Sequence, residues 1–425
     1  MTTSKIVLSF AASACIAVST SAMEFQVLGA KAAAMGGAGI ATSPSSLAAY
    51  NNPALLANNP EKFSLHIGGG IGLKDTGAGK AVSDLSDLDF SGVSHIVDGT
   101  ANTASAEDIA TLIHAKNIIV GMHGKGFQLN PTADFGLSFG SFGTGLFVTS
   151  DIGAIANVDQ THTALIFAGT AAGSYYDISS GTAVASDLTT YNATSLQYAI
   201  DNDLTNLDVL GLAVAEVPLA YGHAFDVGFG TVGVGGSLKL MSGKTFYKSI
   251  ALDEENSFDN IDQNSVTSST FGIDLGTTFK PKAVESLTLA LVGKNLNSPE
   301  FDAFGGRKYE IEPSFRAGGA YKLTDIVEFA LDADLTTNKG LTGYDTRYIG
   351  GGVNVDLSAL EVNVGLMKNT ASNDEAGVIY TAGIATGPDW LHFELSAQMA
   401  SKTGEVEGTS YPKQALVNFA ISSAW

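Results

Sequence analysis

From Lys62 onward, apolar residues alternate with small or polar ones at period two, the signature of a strand with one buried and one different face. In the first run Phe63, Leu65, Ile67, Ile71 and Leu73 point one way, while Ser64, His66, Gly68, Gly70, Gly72 and Lys74 point the other. The alternation returns at Leu287, Leu289 and Leu291, and at Val327, Phe329, Leu331, Ala333 and Leu335 against Glu328, Asp332 and Asp334. It appears again at Leu391, Phe393, Leu395 and Met399 against His392, Glu394, Ser396 and Gln398. Marking every run predicts about fourteen strands, over 62–74, 132–139, 144–158, 207–225, 230–250, 267–280, 285–294, 310–322, 325–336, 344–356, 359–369, 376–386, 389–402 and 413–425. Short links at 140–143, 226–229, 281–284, 323–324, 357–358 and 387–388 alternate with longer ones, of which 75–131 and 159–206 are the longest. An antiparallel up-and-down barrel produces this rhythm when both chain ends lie on the side of its tight turns; a sandwich does not. Closure also removes unpaired backbone edges, on which each unsatisfied N–H or C=O would cost several kcal/mol in hydrocarbon.

Residues 23–61 do not alternate. They hold a Gly/Ala-rich stretch from Gly29 to Gly39, then a short helix signal with Ser43 as N-cap and Pro44 in the first position, ending near Tyr50-Asn51-Asn52-Pro53-Ala54-Leu55-Leu56. So small and apolar a segment, upstream of a closed sheet, suits a lumen in which backbone must approach backbone. The alternative is a flexible tail. The plug is preferred because Met35, Leu47, Tyr50, Leu55 and Leu56 would otherwise be exposed.

Composition sharpens this picture. Only 15% of the 425 residues are charged while 45% are hydrophobic, against about a quarter charged in ordinary soluble domains, so one face of the strands meets a solvent other than water. Residues 1–22 read as an export signal, with Lys5, an apolar stretch from Ile6 to Val18, and small residues before a cleavage point after Ala22. Ala12-Ser13-Ala14-Cys15 offers a competing reading as a lipoprotein box. Cys15 is the single cysteine, so cleavage after Ala22 leaves no disulfide, thiolate or cysteine chemistry. With 43 acidic against 22 basic residues and only three arginines, nucleic acid is not an expected partner.

The stretch Gly29-Ala30-Lys31-Ala32 through Met35-Gly36-Gly37-Ala38-Gly39, followed by Tyr50-Asn51-Asn52-Pro53-Ala54, resembles the amino-terminal signature of FadL-type outer-membrane channels. Further on, five blocks are similar to the TraF-like conjugal transfer outer-membrane proteins. They are Ala215-Glu216-Val217, Gly235 through Met241, Gly293-Lys294-Asn295-Leu296, Arg316-Ala317-Gly318, and Ala330 through Leu335. The resemblance runs from about Gly29 to Trp425 and implies an all-β, fourteen-stranded transmembrane barrel over 62–425 with residues 23–61 as an internal hatch. Gly36, Gly37, Gly39, Asn52, Pro53 and Ala54 would belong to that hatch. For the FadL group it further implies passive uptake of hydrophobic molecules through a gap in the wall. The thioredoxin-like protein that shares the TraF name is excluded by the lack of a Cys-x-x-Cys. The final strand, ending in Trp425, resembles the carboxy-terminal signal by which such barrels meet their assembly machinery, with Trp in place of the usual Phe.

Placing the apolar face toward lipid turns the ionisable residues inward. Lys239, Asp274, Lys280, Arg316, Lys322, Glu328, Asp332, Asp334, Glu361, His392 and Glu394 then line or approach the lumen. If the turn at 323–324 sets Lys322 against Ile326, Arg316 falls opposite Asp332, a pair able to brace the wall or hold the hatch. Enzymatic signals are poor. Gly136-Leu137-Ser138-Phe139-Gly140 has the nucleophile-elbow spacing but leads from strand into turn and strand, where that motif needs a helix. Gly243-Lys244-Thr245 lacks the glycine of a phosphate loop, and the seven histidines show no metal-ligand spacing. No catalytic residue, metal or cofactor is expected. Ser105 with Asp108 predicts a capping box opening a helix with Ile109, Leu112 and Ile113 on one face. The acidic run Asp253, Glu254, Glu255, Asp259 and Asp262 would be a solvated loop, or would bind calcium or bridge cations to lipopolysaccharide.

The expected function is therefore an outer-membrane channel for hydrophobic or amphipathic small molecules, contacting membrane lipid and lipopolysaccharide. The alternative is a structural or docking barrel of a conjugation or secretion apparatus. An apolar cavity between hatch and wall would favour transport, and a fully packed lumen would favour docking.

Overall fold

The computed structural model describes residues 20–21, 23–251, 264–371, 376–388, 390–406 and 408–425. The export signal with Cys15 and the acidic run from Asp253 to Asp262 lie outside the described residues, apart from Thr20 and Ser21.

Fourteen strands close into one antiparallel barrel. In chain order they are β1 (Ser64–Asp75), β2 (Gly126–Phe139), β3 (Phe142–Asn157), β4 (Asn206–Asp226), β5 (Gly230–Ala251), β6 (Val266–Pro281) and β7 (Leu287–Lys294). They continue as β8 (Ser314–Thr324), β9 (Val327–Asp334), β10 (Tyr348–Asp356), β11 (Leu360–Asn369), β12 (Val378–Thr386), β13 (His392–Ala400) and β14 (Gln414–Ala424). Each pairs with its neighbours in sequence, and β14 closes on β1 with Ser64 opposite Ala424. All fourteen predicted strands are present. The clearest boundary error is β2, which begins at Gly126 and not at 132, because Pro131 sits inside the strand. Proline has no N–H to give a ladder, and the β2–β3 pairing skips from Leu129–Ile152 to Thr132–Thr149 around it. The β3–β4 ladder is likewise interrupted opposite Pro218, where the Thr144 hydroxyl donates to the Pro218 carbonyl at 2.8 Å. Neighbouring strands pair all the way round, so the wall gap that the resemblance implied is not a break between strands.

The alternation predicted the faces correctly. Ile71, Leu219, Leu240, Leu331 and Phe419 are outward and exposed, forming the apolar belt that hydrocarbon would cover. At the tight-turn end Phe63 packs against Phe139 and Trp425 with ring centroids 5.1 and 5.2 Å apart, and Phe142 against Tyr221 at 4.9 Å. Aromatic rings there match the interfacial girdle of membrane barrels. The Trp425 carbonyl accepts from the Lys62 N–H at 2.9 Å, tying the chain end to the start of the barrel.

The long connections at the opposite end carry structure of their own. Ser105 caps the helix Ala106–Gly121, its hydroxyl accepting from the Asp108 N–H at 3.1 Å. Ile109 and Leu112 of that helix pack on Ile96, Phe167, Ile178 and Leu196, so the two longest loops share a small core. The hairpin Glu300–Ala303/Arg307–Glu310 packs Phe301 and Tyr309 against Leu212, Val214 and Met241 of the barrel interior.

Candidate functional site

The interior is built around the amino-terminal segment. Its backbone runs through helix α1 (Ala30–Ala34), the turn at Gly36–Gly39, helix α2 (Ser45–Asn51) and a 3-10 turn over Pro53–Asn58. Pro44, not Ser43, is the N-cap of α2. Ser43 instead donates its hydroxyl to the Gly39 carbonyl at 2.7 Å and accepts from the Asn51 amide at 2.8 Å, closing the loop between them. Asn51 makes a two-way pair with the Leu28 backbone at 3.0 and 2.9 Å, and Asn52 donates to the Ile40 carbonyl at 2.9 Å. These two side chains fold the segment on itself.

Wall glycines show how closely it lies. A Cβ added at Gly136 would fall 2.2 Å from the Ser46 carbonyl oxygen, at Gly235 2.3 Å from Pro53, and at Gly276 1.9 Å from Asn52 Oδ1. One at Gly350 would fall 2.0 Å from the Gly36 oxygen, and at Gly383 2.7 Å from the Ala34 Cβ. These positions share the inward face of five strands, so the wall gives up side chains where the segment's backbone passes. Gly36 and Gly37 themselves have φ of 69° and 77°, a left-handed turn that glycine adopts without strain.

Polar side chains from the wall hold the segment by its backbone. Asp332 accepts from the Gly39 and Ile40 N–H groups at 2.8 and 3.1 Å. Thr381 donates to the Ala34 carbonyl at 2.6 Å, and Gln398 to the Ala33 carbonyl at 2.9 Å. Arg316 donates to the Gly37 and Phe25 carbonyls at 3.3 and 3.4 Å and lies over the Phe25 ring at 4.2 Å. Its carboxylate partner is Asp334, at 2.7 Å, and not Asp332. The register is Arg316 opposite Asp334 and Lys322 opposite Glu328, because a bulge between Lys322 and Thr324 lengthens the turn. The Arg316→Ala variant is therefore expected to speed protease cleavage between Phe25 and Ile40 and to cost roughly 3 kcal/mol, leaving Asp334 buried without its cation. Unchanged cleavage and unchanged single-channel conductance would remove Arg316 from this role.

The other inward residues divide by depth. Lys239 is wholly buried and contacts Glu216 at 3.2 Å, Asp274 at 3.1 Å and the Asn295 side chain at 2.6 Å. It is a packed ion cluster, not a side chain facing open lumen. Glu328 and Glu361 meet Lys31 of α1 at 3.7 and 3.2 Å. Glu394 accepts from Ser422 at 2.6 Å, and with His392 it borders a cavity of about 260 Å³ between α1, Pro44 and the wall. Lys322 and Lys280 have inward register but sit exposed at the tight-turn rim, where the strands outrun the segment. Ser138 hydrogen-bonds Ser64 and Ser45 at 2.7 and 3.0 Å, a serine cluster under α2. Among the described residues no three His, Cys, Asp or Glu side chains gather to hold a metal.

Several interior residues escaped the sequence reading. Lys294 is buried with its ammonium 3.3 Å above the Tyr50 ring. Glu24, ahead of the barrel, forms a buried ion pair with Lys74. His66 and Asp134 face each other at 3.1 Å on β1 and β2. The usable signal was the polar parity of β1, which lists His66 and Lys74 among inward positions. Arg316, Asp332, Asp334, Lys239 and Glu216 all fall in the blocks that resembled known barrels, and the fold gathers those blocks around the lumen. A second cavity, of about 110 Å³, separates Phe25–Ala30 from β1, β2, β13 and β14. A shallow apolar groove of about 970 Å³ lies on the outer face over β7–β11, bordered by Leu289, Phe329, Leu331 and Leu366.

Residues 49–334 match the family described as F plasmid transfer operon, TraF, protein. No curated protein matches the chain in sequence. Among solved structures, the Ralstonia pickettii toluene transporter TbuX aligns over 94% of this chain and 99% of its own, with 12% identity and a TM-score of 0.50. The CymD monoaromatic hydrocarbon channel aligns over 95% and 99%, with 12% identity and a TM-score of 0.50. A Pseudomonas aeruginosa FadL homologue covers 95% and 99% at 11% identity and a TM-score of 0.46. At such identities the likeness to TbuX and CymD is one of fold.

Proposed function

Because the chain belongs to the family of F plasmid transfer operon TraF proteins, and folds as a closed barrel, we propose that it is an outer-membrane channel. In this reading hydrophobic or amphipathic small molecules pass the amino-terminal segment, which acts as a hatch. The observation that carries it is the incomplete filling of the barrel: the segment touches the wall through glycines and backbone hydrogen bonds, yet leaves cavities of about 110 and 260 Å³ on its two flanks. The smaller borders Asn130, at the point where Pro131 interrupts the β2–β3 ladder. Weak pairing there gives the wall a place to yield without opening the rest of the sheet. The lining mixes Phe25, Leu28 and Met367 with ionisable groups, which suits amphipathic solutes better than bare hydrocarbon. The proposed substrate class is that of the toluene and monoaromatic hydrocarbon channels sharing this fold, and the Trp425 strand is the proposed contact with the barrel-assembly machinery.

A tether tests the hatch. The Ala57 Cβ lies 3.1 Å from a Cβ built on Gly233, so the Ala57→Cys/Gly233→Cys pair can form a disulfide once the Thr278 hydroxyl, 2.4 Å from that Cβ, turns away. Gram-negative cells making the untethered protein should take up the dye N-phenyl-1-naphthylamine faster than cells without it. The disulfide should abolish the gain and dithiothreitol restore it. Uptake equal with and without the protein would exclude the channel and leave the docking role in conjugation or secretion.

A further inference from the structure

Strand β1 presents His66, Gly68, Gly70, Gly72 and Lys74 to the interior, three glycines in successive inward positions. The space that side chains would take at Gly68 and Gly70 is filled instead by those of neighbouring strands. A Cβ at Gly68 would lie 2.4 Å from Asp134 Oδ2 and 2.8 Å from His66 Nε2, and one at Gly70 would lie 1.7 Å from Asn418 Oδ1. His66, Asp134, Asn130 and Asn418 border the 110 Å³ cavity beneath Phe25–Ala30. His66, Asp134 and Asn130 are more than nine-tenths buried. Both ring nitrogens of His66, Asp134 Oδ2 and Asn130 Oδ1 lack a protein hydrogen-bond partner, although His66 and Asp134 approach to 3.1 Å without aligning. Polar atoms left so in a protein interior are destabilising, and a partner that arrives with a ligand recovers that cost. The unmet groups are mainly acceptors, a carboxylate oxygen and an amide oxygen, while Phe25, Leu28 and Met367 supply apolar walls.

We propose that this cavity is a binding subsite for a small amphipathic molecule that presents a hydrogen-bond donor, such as a hydroxyl, on an apolar body. The inference rests on the channel reading above and narrows its substrate class. The donor is received by Asp134 and His66, and the apolar body lies against Phe25 and Leu28. An anionic acceptor is disfavoured, because it meets the Asp134 carboxylate and the Asn130 oxygen. A hydrocarbon without a donor leaves both unmatched.

Calorimetric titration of the detergent-purified full chain with phenol, toluene and benzoate tests this. Phenol should bind, with toluene and benzoate at least tenfold weaker. Gly68→Ala displaces Asp134 and His66, whose polar atoms lie 2.4 and 2.8 Å from the new Cβ, and should weaken phenol at least tenfold. Asp134→Ala, which keeps the space and removes the acceptor, should weaken phenol while leaving toluene unchanged. Heat-modifiable gel mobility shows that each variant still folds. Toluene binding as tightly as phenol, or phenol binding unaffected in both variants, would overturn the proposal. Dye uptake by the same protein separates the two readings: selective phenol binding without protein-dependent uptake defeats the channel alone, and uptake without phenol selectivity defeats the subsite alone.

Discussion

The Gly235→Val substitution is expected to unseat the Pro53–Asn58 turn from the barrel wall, making the segment between Ile40 and Glu61 cleavable by protease in folded barrels. The new Cβ would sit 2.3 Å from the Pro53 carbonyl carbon and oxygen and 2.4 Å from the Ala54 nitrogen. All three are backbone atoms, so no rotamer change relieves the overlap; either the turn or the strand must move. The strand cannot move easily, since β5 is laddered along its length to both β4 and β6. The turn gives way. Overpacking of this kind costs about 1–3 kcal/mol where side chains can adjust, and backbone contact puts Gly235 at the upper end. Gly236→Val is the internal control: its Cβ faces outward, with the Leu275 side chain 3.4 Å away, an ordinary contact. It should leave protease resistance and thermal mobility shift unchanged. If Gly235→Val behaves as Gly236→Val does, the segment is not seated on the wall at this point. If it also raises dye uptake, the segment is the barrier to passage.

The outward half of this molecule was more legible than the inward half. Outward-facing residues are mostly apolar at every second position, so Leu219, Leu331 and Phe419 announce both strand and face. Connection lengths then gave the topology, because an up-and-down barrel fixes which strands are neighbours. Inward positions obey no such rule. Whether an inward residue sees solvent, another strand or the amino-terminal segment depends on where that segment lies, and alternation contains nothing about it. Lys239 and Lys322 read alike as inward lysines, yet one is entombed and the other stands at the rim. Register failed for the same kind of reason: a single bulge near Thr324 moved Arg316 from Asp332 to Asp334, and no hydrophobic pattern marks a bulge. Glycine was the overlooked signal. Gly136, Gly235, Gly276, Gly350 and Gly383, read with strand parity, trace the path of the segment across the wall.

The Lys239→Met substitution is expected to be the most destabilising single change, at about 3–5 kcal/mol, read as a lower midpoint of urea unfolding or of heat-modifiable mobility. Lys239 stands on β5 between Glu216 of β4 and Asp274 of β6, and none of the three charged groups reaches solvent to any useful extent. Methionine matches the length of the lysine stem, so packing against Met241 and Gly272 is kept and the lost element is charge. Two carboxylates are then left buried side by side with one cation fewer. Asp274 retains the Asn295 N–H at 2.8 Å, but Glu216 Oε2 has no hydrogen bond to fall back on. Adding Glu216→Gln and Asp274→Asn removes the uncompensated charge, and the triple variant should recover most of the loss. Replacing a whole buried ion cluster is often neutral, whereas deleting one member is not. The cluster also joins three strands beside the turn carrying Asn52, whose amide lies over Gly276 two residues along from Asp274. A triple variant that regains stability but loses protease protection of Asn52–Asn58 would show that the charges orient the wall for the segment. One that regains both would make the cluster interchangeable with neutral packing, and a single Lys239→Met variant as stable as the parent would mean that the carboxylates never depended on it.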